Sequence, residues 1–255
     1  MTTILFALAF SLGFNILMFI PAFIWKTDKL TDLSYSITFF VMAILLFVNG
    51  NGGPFSLIAL LMILVWSIRL GSFLFIRIRK QTKDSRFDGM RESFWKFLRF
   101  WLLQGISVWI IMLPTILFFQ SDAKISATGK IISIVGVIIW ITGLLIESFA
   151  DQQKYKFKQN PENKERWIET GLWKKSRHPN YLGEIMIWVG VYIFCAPFLS
   201  TTLAVVAVIS PLFIFILIKF ISGVPLLEKS ANAKWGQNPD YTAYKSKSGI
   251  ILPKL

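Results

Sequence analysis

The sequence predicts an all-α, polytopic integral membrane protein, a bundle of about seven transmembrane helices with the N-terminus outside and the C-terminus in the cytoplasm. Hydrophobic residues make up 55% of the 255 positions and lie in long runs with few charges. Such runs, at about 20 residues each, cross the hydrocarbon of a bilayer as helices. The basic residues lie between the runs and give a formal net charge of +13.

Seven apolar runs mark the expected helices in order. They cover roughly residues 3–25, 33–49, 54–78, 97–120, 130–152, 181–198 and 200–222. The first lacks a preceding basic region and a cleavage site of small residues, so we expect a retained helix and not a signal peptide. A cluster of Asn and Gly before Pro54 predicts a tight turn between the second and third helices.

The loop charges predict the orientation and the partners. The loops at 77–99 and 154–177 and the C-terminal tail are rich in Lys and Arg, whereas the loops at 49–54 and 195–200 carry no charge. The positive-inside rule places the basic segments in the cytoplasm. We therefore expect one membrane domain over residues 1–255, a monomer in the inner or plasma membrane, with its site facing the cytoplasm. The charge indicates a lipid bilayer or a polyanionic cofactor as partner, and no nucleic acid.

Metal and thiol chemistry is not expected. Cys195 is the only cysteine and His178 the only histidine, so the chain offers no disulfide framework, no thiolate metal site and no pair of histidines for a metal.

The segment around Pro179 is the most informative one. Proline suits the first turn of a helix because its missing N–H costs nothing there, so the sixth helix is expected to begin at Pro179. The free amides of that turn, with Arg177 and His178 beside them, would form an anion site. In the alternative interpretation, Arg177, His178 and Tyr181 only anchor the helix at the membrane interface.

Two ionisable groups follow within the same helix. Asn180 and Glu184 are four residues apart and therefore share a face, with Tyr181 next to them. A carboxylate one turn inside a membrane helix is costly, so Glu184 is expected to have a partner or a chemical role.

The fifth helix carries a comparable row. Glu147, Asp151, Tyr155 and Lys158 follow one another at spacings of four, four and three, which places them on one helical face. Acidic side chains deep in the membrane, followed by a basic side chain at the cytoplasmic end of the helix, could bind a polar ligand that lies parallel to the helix. The alternative is a solvated helix end with internal ion pairs.

Further candidates lie in the second and third helices. Arg69, with Lys80 on a similar face, could extend to the interface or pair with an anion in a cavity. Asp32 could cap the second helix, which is the favoured interpretation, or serve as a carboxylate or proton donor with Tyr35 nearby. The tail, with Tyr241 and Tyr244, could lie on the membrane surface or fold back as a lid.

A family resemblance is carried by Gly171-Leu172-Trp173, by Ser176-Arg177-His178-Pro179-Asn180-Tyr181 and by Gly183-Glu184. This pattern resembles the signature of the steroid 5-alpha-reductase-like membrane reductases, and more narrowly their bacterial branch, domain of unknown function 1295. The resemblance is strongest over residues from about 130 to 255. Its His-Pro-x-Tyr core is shared with the isoprenylcysteine and phospholipid methyltransferases, which bind S-adenosylmethionine.

The resemblance implies seven helices around an NADPH site that faces the cytoplasm, with a substrate pocket open to lipid. It implies cofactor contacts at these positions: Arg69, Lys80, Glu147, Asp151, Lys158, Arg166, Asn180, Glu184 and Tyr244. At the substrate end the chain departs from the steroid enzymes, because Thr31, Asp32 and Trp66 stand where those enzymes have glutamine, glutamate and tyrosine. Tyr35 could supply the missing hydroxyl.

The function implied is an NADPH-dependent reductase of an activated C=C bond in a lipophilic, steroid-like or isoprenoid-like substrate, with Asp32 and Tyr35 as the catalytic pair. Two alternatives stay open. One is a membrane S-adenosylmethionine-dependent methyltransferase, with Glu228 as a possible cofactor contact. The other is a lipid-binding or transport protein without enzymatic activity.

Overall fold

The structure, a computed structural model, describes residues 2–80 and 87–254, with the backbone alone for residues 78–80. The described residues form helices joined by short connections and contain no β-strand. The α-helices are α1 (Thr2–Ile24), α2 (Lys29–Val48), α3 (Pro54–Lys80), α4 (Phe94–Ile111), α5 (Leu113–Phe118), α6 (Ala127–Gln159), α7 (Pro179–Cys195), α8 (Thr201–Ala207), α9 (Ile209–Ile216), α10 (Val224–Trp235) and α11 (Pro239–Lys247). Among the described residues, 7 helical segments are long and apolar enough to cross a membrane. The predicted all-α bundle of about seven membrane-spanning helices is thereby confirmed.

Two helix boundaries differ from the prediction in an informative way. The fifth span was expected to end near residue 152, but α6 continues to Gln159. The residues after Asp151 are polar, yet Gln and Lys are good helix formers, so the helix continues where the apolar run has ended. The seventh span does not end at residue 222 either, because a π-helical turn at Leu217–Ile221 leads into the additional helix α10.

The chain divides into two compact units. The first unit comprises Met1–Ser133 and Phe194–Ser210, and the second comprises Ile134–Ile193 and Pro211–Leu255.

Buried polar side chains join the helices of the first unit. Gln104 of α4 donates to Oδ1 of Asn15 in α1 at 2.9 Å and to Oγ of Ser34 in α2 at 3.1 Å. Asn15 in turn donates to Oγ1 of Thr38 at 3.3 Å. Such hydrogen bonds hold membrane helices together where the hydrophobic effect contributes little.

The connection before α4 is held by a buried arginine. Arg91 forms ion pairs with Asp28, at the start of α2, and with Asp88. Its side chain is 4% exposed and that of Asp28 is 11% exposed. Arg91 thus has a structural partner, although the sequence alone shows it only as one of many basic residues in the 77–99 loop.

Close packing of α6 against α7 defines the second unit. A Cβ atom placed on Gly183 would lie 2.6 Å from the backbone N of Glu147, and one on Gly143 would lie 2.7 Å from the carbonyl O of Gly183. Small residues of this kind allow two membrane helices to approach closely. The glycines therefore bring the acidic face of α6 next to the first turns of α7.

The C-terminal tail folds back onto the segment before α7. Gly249 donates its backbone N–H to the carbonyl of Lys175 at 2.9 Å, and Arg177 donates its own to the carbonyl of Gly249 at 2.9 Å. Asn238 caps α11 by accepting from the backbone N–H of Asp240 at 2.8 Å. The tail is consequently an integral part of the second unit.

Candidate functional site

A cavity of about 460 Å³ lies within the second unit. Four parts of that unit form its walls: the end of α6, the segment between α6 and α7, α10 and α11. Its lining is basic and aromatic. The basic residues are Lys154, Lys158, Lys164, Arg166, Arg177 and Lys234, and the aromatic ones are Phe157, Trp167, Trp173, Trp235, Tyr241 and Tyr244.

One carboxylate, Glu228 of α10, lies among these cations and is occupied by two neighbours. Its Oε1 accepts from Nε of Arg177 at 3.0 Å and lies 2.9 Å from Nε2 of His178. Arg177 also donates through Nη1 to the carbonyls of Ser248 at 2.9 Å and Lys245 at 3.2 Å. Arg177 therefore joins the start of α7, α10 and the end of α11.

The protonation of His178 follows from its burial. Burial lowers the pKa of His178, the hydrogen bond to Glu228 opposes this, and Lys154 and Arg177 lower the pKa further. In the neutral ring, Nε2 carries the proton toward Glu228 and Nδ1 is an acceptor. Nδ1 is buried and has no hydrogen-bond partner among the described residues.

The cations of the cavity differ in how far they are already engaged. Lys234 binds Oε2 of Glu165 at 3.2 Å and the carbonyl of Lys164 at 2.9 Å, and Lys154 lies over the ring of Trp173 at 4.6 Å. The side chains of Lys164 and Arg166 form no ion pair with any other described residue. An anion in the cavity would therefore find at least two uncommitted cations.

The predicted cofactor residues of the second unit fall into two groups. Lys158, Arg166, Arg177, His178 and Tyr244 line the cavity. The structure therefore brings five of the predicted residues to one place.

The other group lies along the facing helices α6 and α7. Glu147 and Asp151 are buried on α6. On α7, Asn180 has a buried Oδ1 without a hydrogen-bond partner among the described residues, and Tyr181 stacks on His178 with ring centroids 5.5 Å apart. Glu184 is partly buried one turn further along. None of these five belongs to the described lining of the cavity.

The predicted residues of the first unit have partners of their own. Asp32 forms an ion pair with Arg77 of α3 at 2.7 Å. The cap interpretation of Asp32 was wrong, because the N-cap position of α2 is Asp28 and Asp32 lies in the first turn. Tyr35 packs edge-on against Phe39 at 5.0 Å.

Phe39 packs in the same way against Trp66, also at 5.0 Å, so the three rings form an aromatic row. The guanidinium of Arg69 lies 5.6 Å from the ring of Phe73. The side chain of Lys80 lies outside the described residues.

Sequence analysis missed several residues of the cavity. Lys154 and Trp167 stand in or near the basic loop without a recognisable motif, Trp173 was part of the family signature but was not assigned to a site, and Lys234 and Trp235 belong to α10, which was not predicted. The available signal was the apolar and basic pattern that continues from residue 224 to residue 235 after the seventh apolar run.

Comparison with protein families assigns most of the chain to a family. The family model described as "Protein of unknown function (DUF1295)" matches residues 18–248. The chain belongs to the DUF1295 family. Comparisons with curated proteins and with solved structures gave no match. The matched range contains every residue that lines the cavity, so the cavity lies within the DUF1295 region.

Proposed function

We propose that this DUF1295 protein is an NADPH-dependent membrane reductase that acts on an activated C=C bond of a lipophilic substrate. The observation that carries the proposal is the lining of the cavity, where cationic side chains and aromatic rings meet. A dinucleotide has matching groups, because its phosphates are anionic and its bases are planar.

The charge of the cavity favours NADPH over S-adenosylmethionine. The cofactor of a methyltransferase carries a sulfonium cation and a single carboxylate, and a wall with six basic side chains would repel the sulfonium. Glu228 is the one acidic residue in the described lining, and it is already bound to Arg177 and His178. The methyltransferase is therefore the second candidate.

The chain's own residues have distinct roles in the proposed reaction. When bound, NADPH would supply a hydride to the β carbon of the C=C bond, and a proton would be added to the α carbon. Of the predicted catalytic pair, Tyr35 has a hydroxyl that would donate this proton and stabilise the negative charge that develops on the substrate, whereas Asp32 is ion-paired with Arg77. Arg166, Lys164 and Lys158 would neutralise the phosphates, and the buried groups of α6 and α7 would orient the reactive end of the cofactor.

Binding measurements on the full chain in detergent test the proposal. We expect NADPH to raise the melting temperature, S-adenosylmethionine to have no effect, and Arg166→Ala to weaken NADPH binding by about ten-fold because a charge-assisted contact is lost. Arg99→Ala is the matched control, since Arg99 is an exposed arginine of α4 in the first unit.

Stabilisation by S-adenosylmethionine without any by NADPH would contradict the reductase and favour the methyltransferase. An affinity for NADPH that Arg166→Ala leaves unchanged would contradict the placement of the cofactor.

A further inference from the structure

Four aromatic rings cluster at one side of the cavity, with Trp167 at their centre. Its ring centroid lies 5.1 Å from that of Tyr241, 6.1 Å from that of Trp235 and 6.5 Å from that of Tyr244. Trp235 and Tyr241 are 5.8 Å apart. All four rings line the cavity. We call Trp167, Trp235, Tyr241 and Tyr244 the aromatic cluster.

The polar groups of three of these side chains form hydrogen bonds outside the cluster. Nε1 of Trp235 donates to the carbonyl of Glu165 at 2.9 Å, and Nε1 of Trp167 donates to Glu169 at 3.2 Å. The hydroxyl of Tyr244 donates to the carbonyl of Trp173 at 2.7 Å. Burial raises the pKa of Tyr244 to about 12, so this hydroxyl stays protonated. These hydrogen bonds fix three of the four rings in the wall of the cavity.

The rings differ in burial in a way that suits stacking. Tyr241 and Tyr244 are buried, whereas Trp167 and Trp235 are partly exposed. Glu165 forms an ion pair with Lys234 through its side chain and accepts the hydrogen bond of Trp235 through its carbonyl. These two contacts hold the segment that carries Trp167 against α10, which carries Trp235. The two tryptophans thus form the partly exposed side of the cluster, and the two tyrosines form its buried side.

The position of the cluster indicates which end of a dinucleotide it would receive. Trp167 lies between the membrane spans that end at Gln159 and begin at Pro179, and Tyr241 follows the last span, which ends at Trp235. A hydride donor must reach a lipophilic substrate in the membrane-spanning part, so the opposite end of the cofactor belongs to the segments outside the spans.

We propose that the aromatic cluster is a ring-stacking subsite for the adenine of the cofactor, next to the cations that hold its phosphates. The inference rests on the proposed function and specifies how that site selects its ligand. Recognition by ring faces contributes affinity for a planar base and needs no hydrogen bond to its edge.

Calorimetry with ADP and with inorganic pyrophosphate separates stacking from phosphate binding, using the full chain in detergent. Trp167→Ala is expected to weaken ADP binding by about ten-fold, which is within the range for one base stacked on an aromatic ring. It is expected to leave pyrophosphate binding unchanged. Trp167→Phe keeps a ring and should keep most of the affinity for ADP. Trp95→Ala, at an exposed tryptophan of the first unit, serves as the control.

The outcomes distinguish the subsite from the proposed function. If Trp167→Ala weakens the binding of ADP and of pyrophosphate equally, Trp167 has a structural role and the subsite is overturned. The subsite is also overturned if Trp167→Ala weakens the binding of nicotinamide mononucleotide more than that of ADP. NADPH binding that Trp167→Ala leaves unchanged contradicts the subsite alone. A wild-type protein that binds neither ADP nor NADPH contradicts the proposed function and the subsite together.

Discussion

The two units use their buried polar groups differently. In the first unit, Gln104 donates to Asn15 and Ser34, and Arg91 is paired with Asp28. In the second unit, Nδ1 of His178 has no hydrogen-bond partner among the described residues, and the cavity has cations without an ion pair among them. Completed networks hold helices in place, whereas groups left available at a cavity suit a ligand. Polar substitutions should therefore affect stability in the first unit and affinity in the second.

The largest expected effect is on the buried ion pairs of Arg91. Arg91→Met breaks a nearly buried ion pair with Asp28, and removing one member of such a pair typically costs about 3 kcal/mol or more. The loss should appear as a lower melting temperature in detergent. Labelling of Cys195 can report it, since this buried thiol is the only cysteine of the chain.

Two controls make this prediction sharper. Arg99→Met, at an exposed arginine of α4, should leave the melting temperature nearly unchanged. Arg91→Met should retain the wild-type affinity for NADPH where it is folded. A strong loss of affinity with unchanged stability would contradict the division of roles between the units.

A smaller effect is expected for the neutral network of the first unit. Gln104→Leu leaves Oδ1 of Asn15 without its donor, and hydrogen bonds between membrane helices contribute about 1 kcal/mol each. The midpoint of unfolding should fall modestly. Ser107→Ala on the same helix is the comparison, because the Ser107 hydroxyl bonds only to the carbonyl of Leu103 one turn earlier. A loss as small as that of Ser107→Ala would show that the network does not stabilise the helix packing.

The fold was predictable wherever apolar runs alone determine it. The seven spans and the start of α7 at Pro179 follow from hydropathy and from the conformational preference of proline. The helix α10 was missed because Val224–Trp235 contains charged residues and follows the last apolar run. Its π-helical junction at Leu217–Ile221 has no sequence signal that we recognise.

The candidate site was predictable only where a motif or a helical spacing marks it. Arg177, His178 and Tyr244 were named from such patterns, and the structure places them at the cavity. The pairing of Trp167 with Trp235 joins residues far apart in the chain, as does that of Arg91 with Asp28. The spacing of residues along the sequence cannot reveal contacts of this kind, since they depend on the tertiary fold.

The smallest expected effect tests the second unit through pH. Because burial lowers the pKa of His178 in the folded protein, the unfolded chain binds more protons than the folded one between that lowered pKa and the ordinary value of 6.5. The stability that neutral His178 contributes is therefore complete above pH 6.5 and is lost as the pH falls toward the folded pKa. His178→Gln should flatten this part of the melting-temperature profile, measured in detergent between about pH 5 and 7.5. An equal slope in both proteins would mean that protonation of His178 is not coupled to folding.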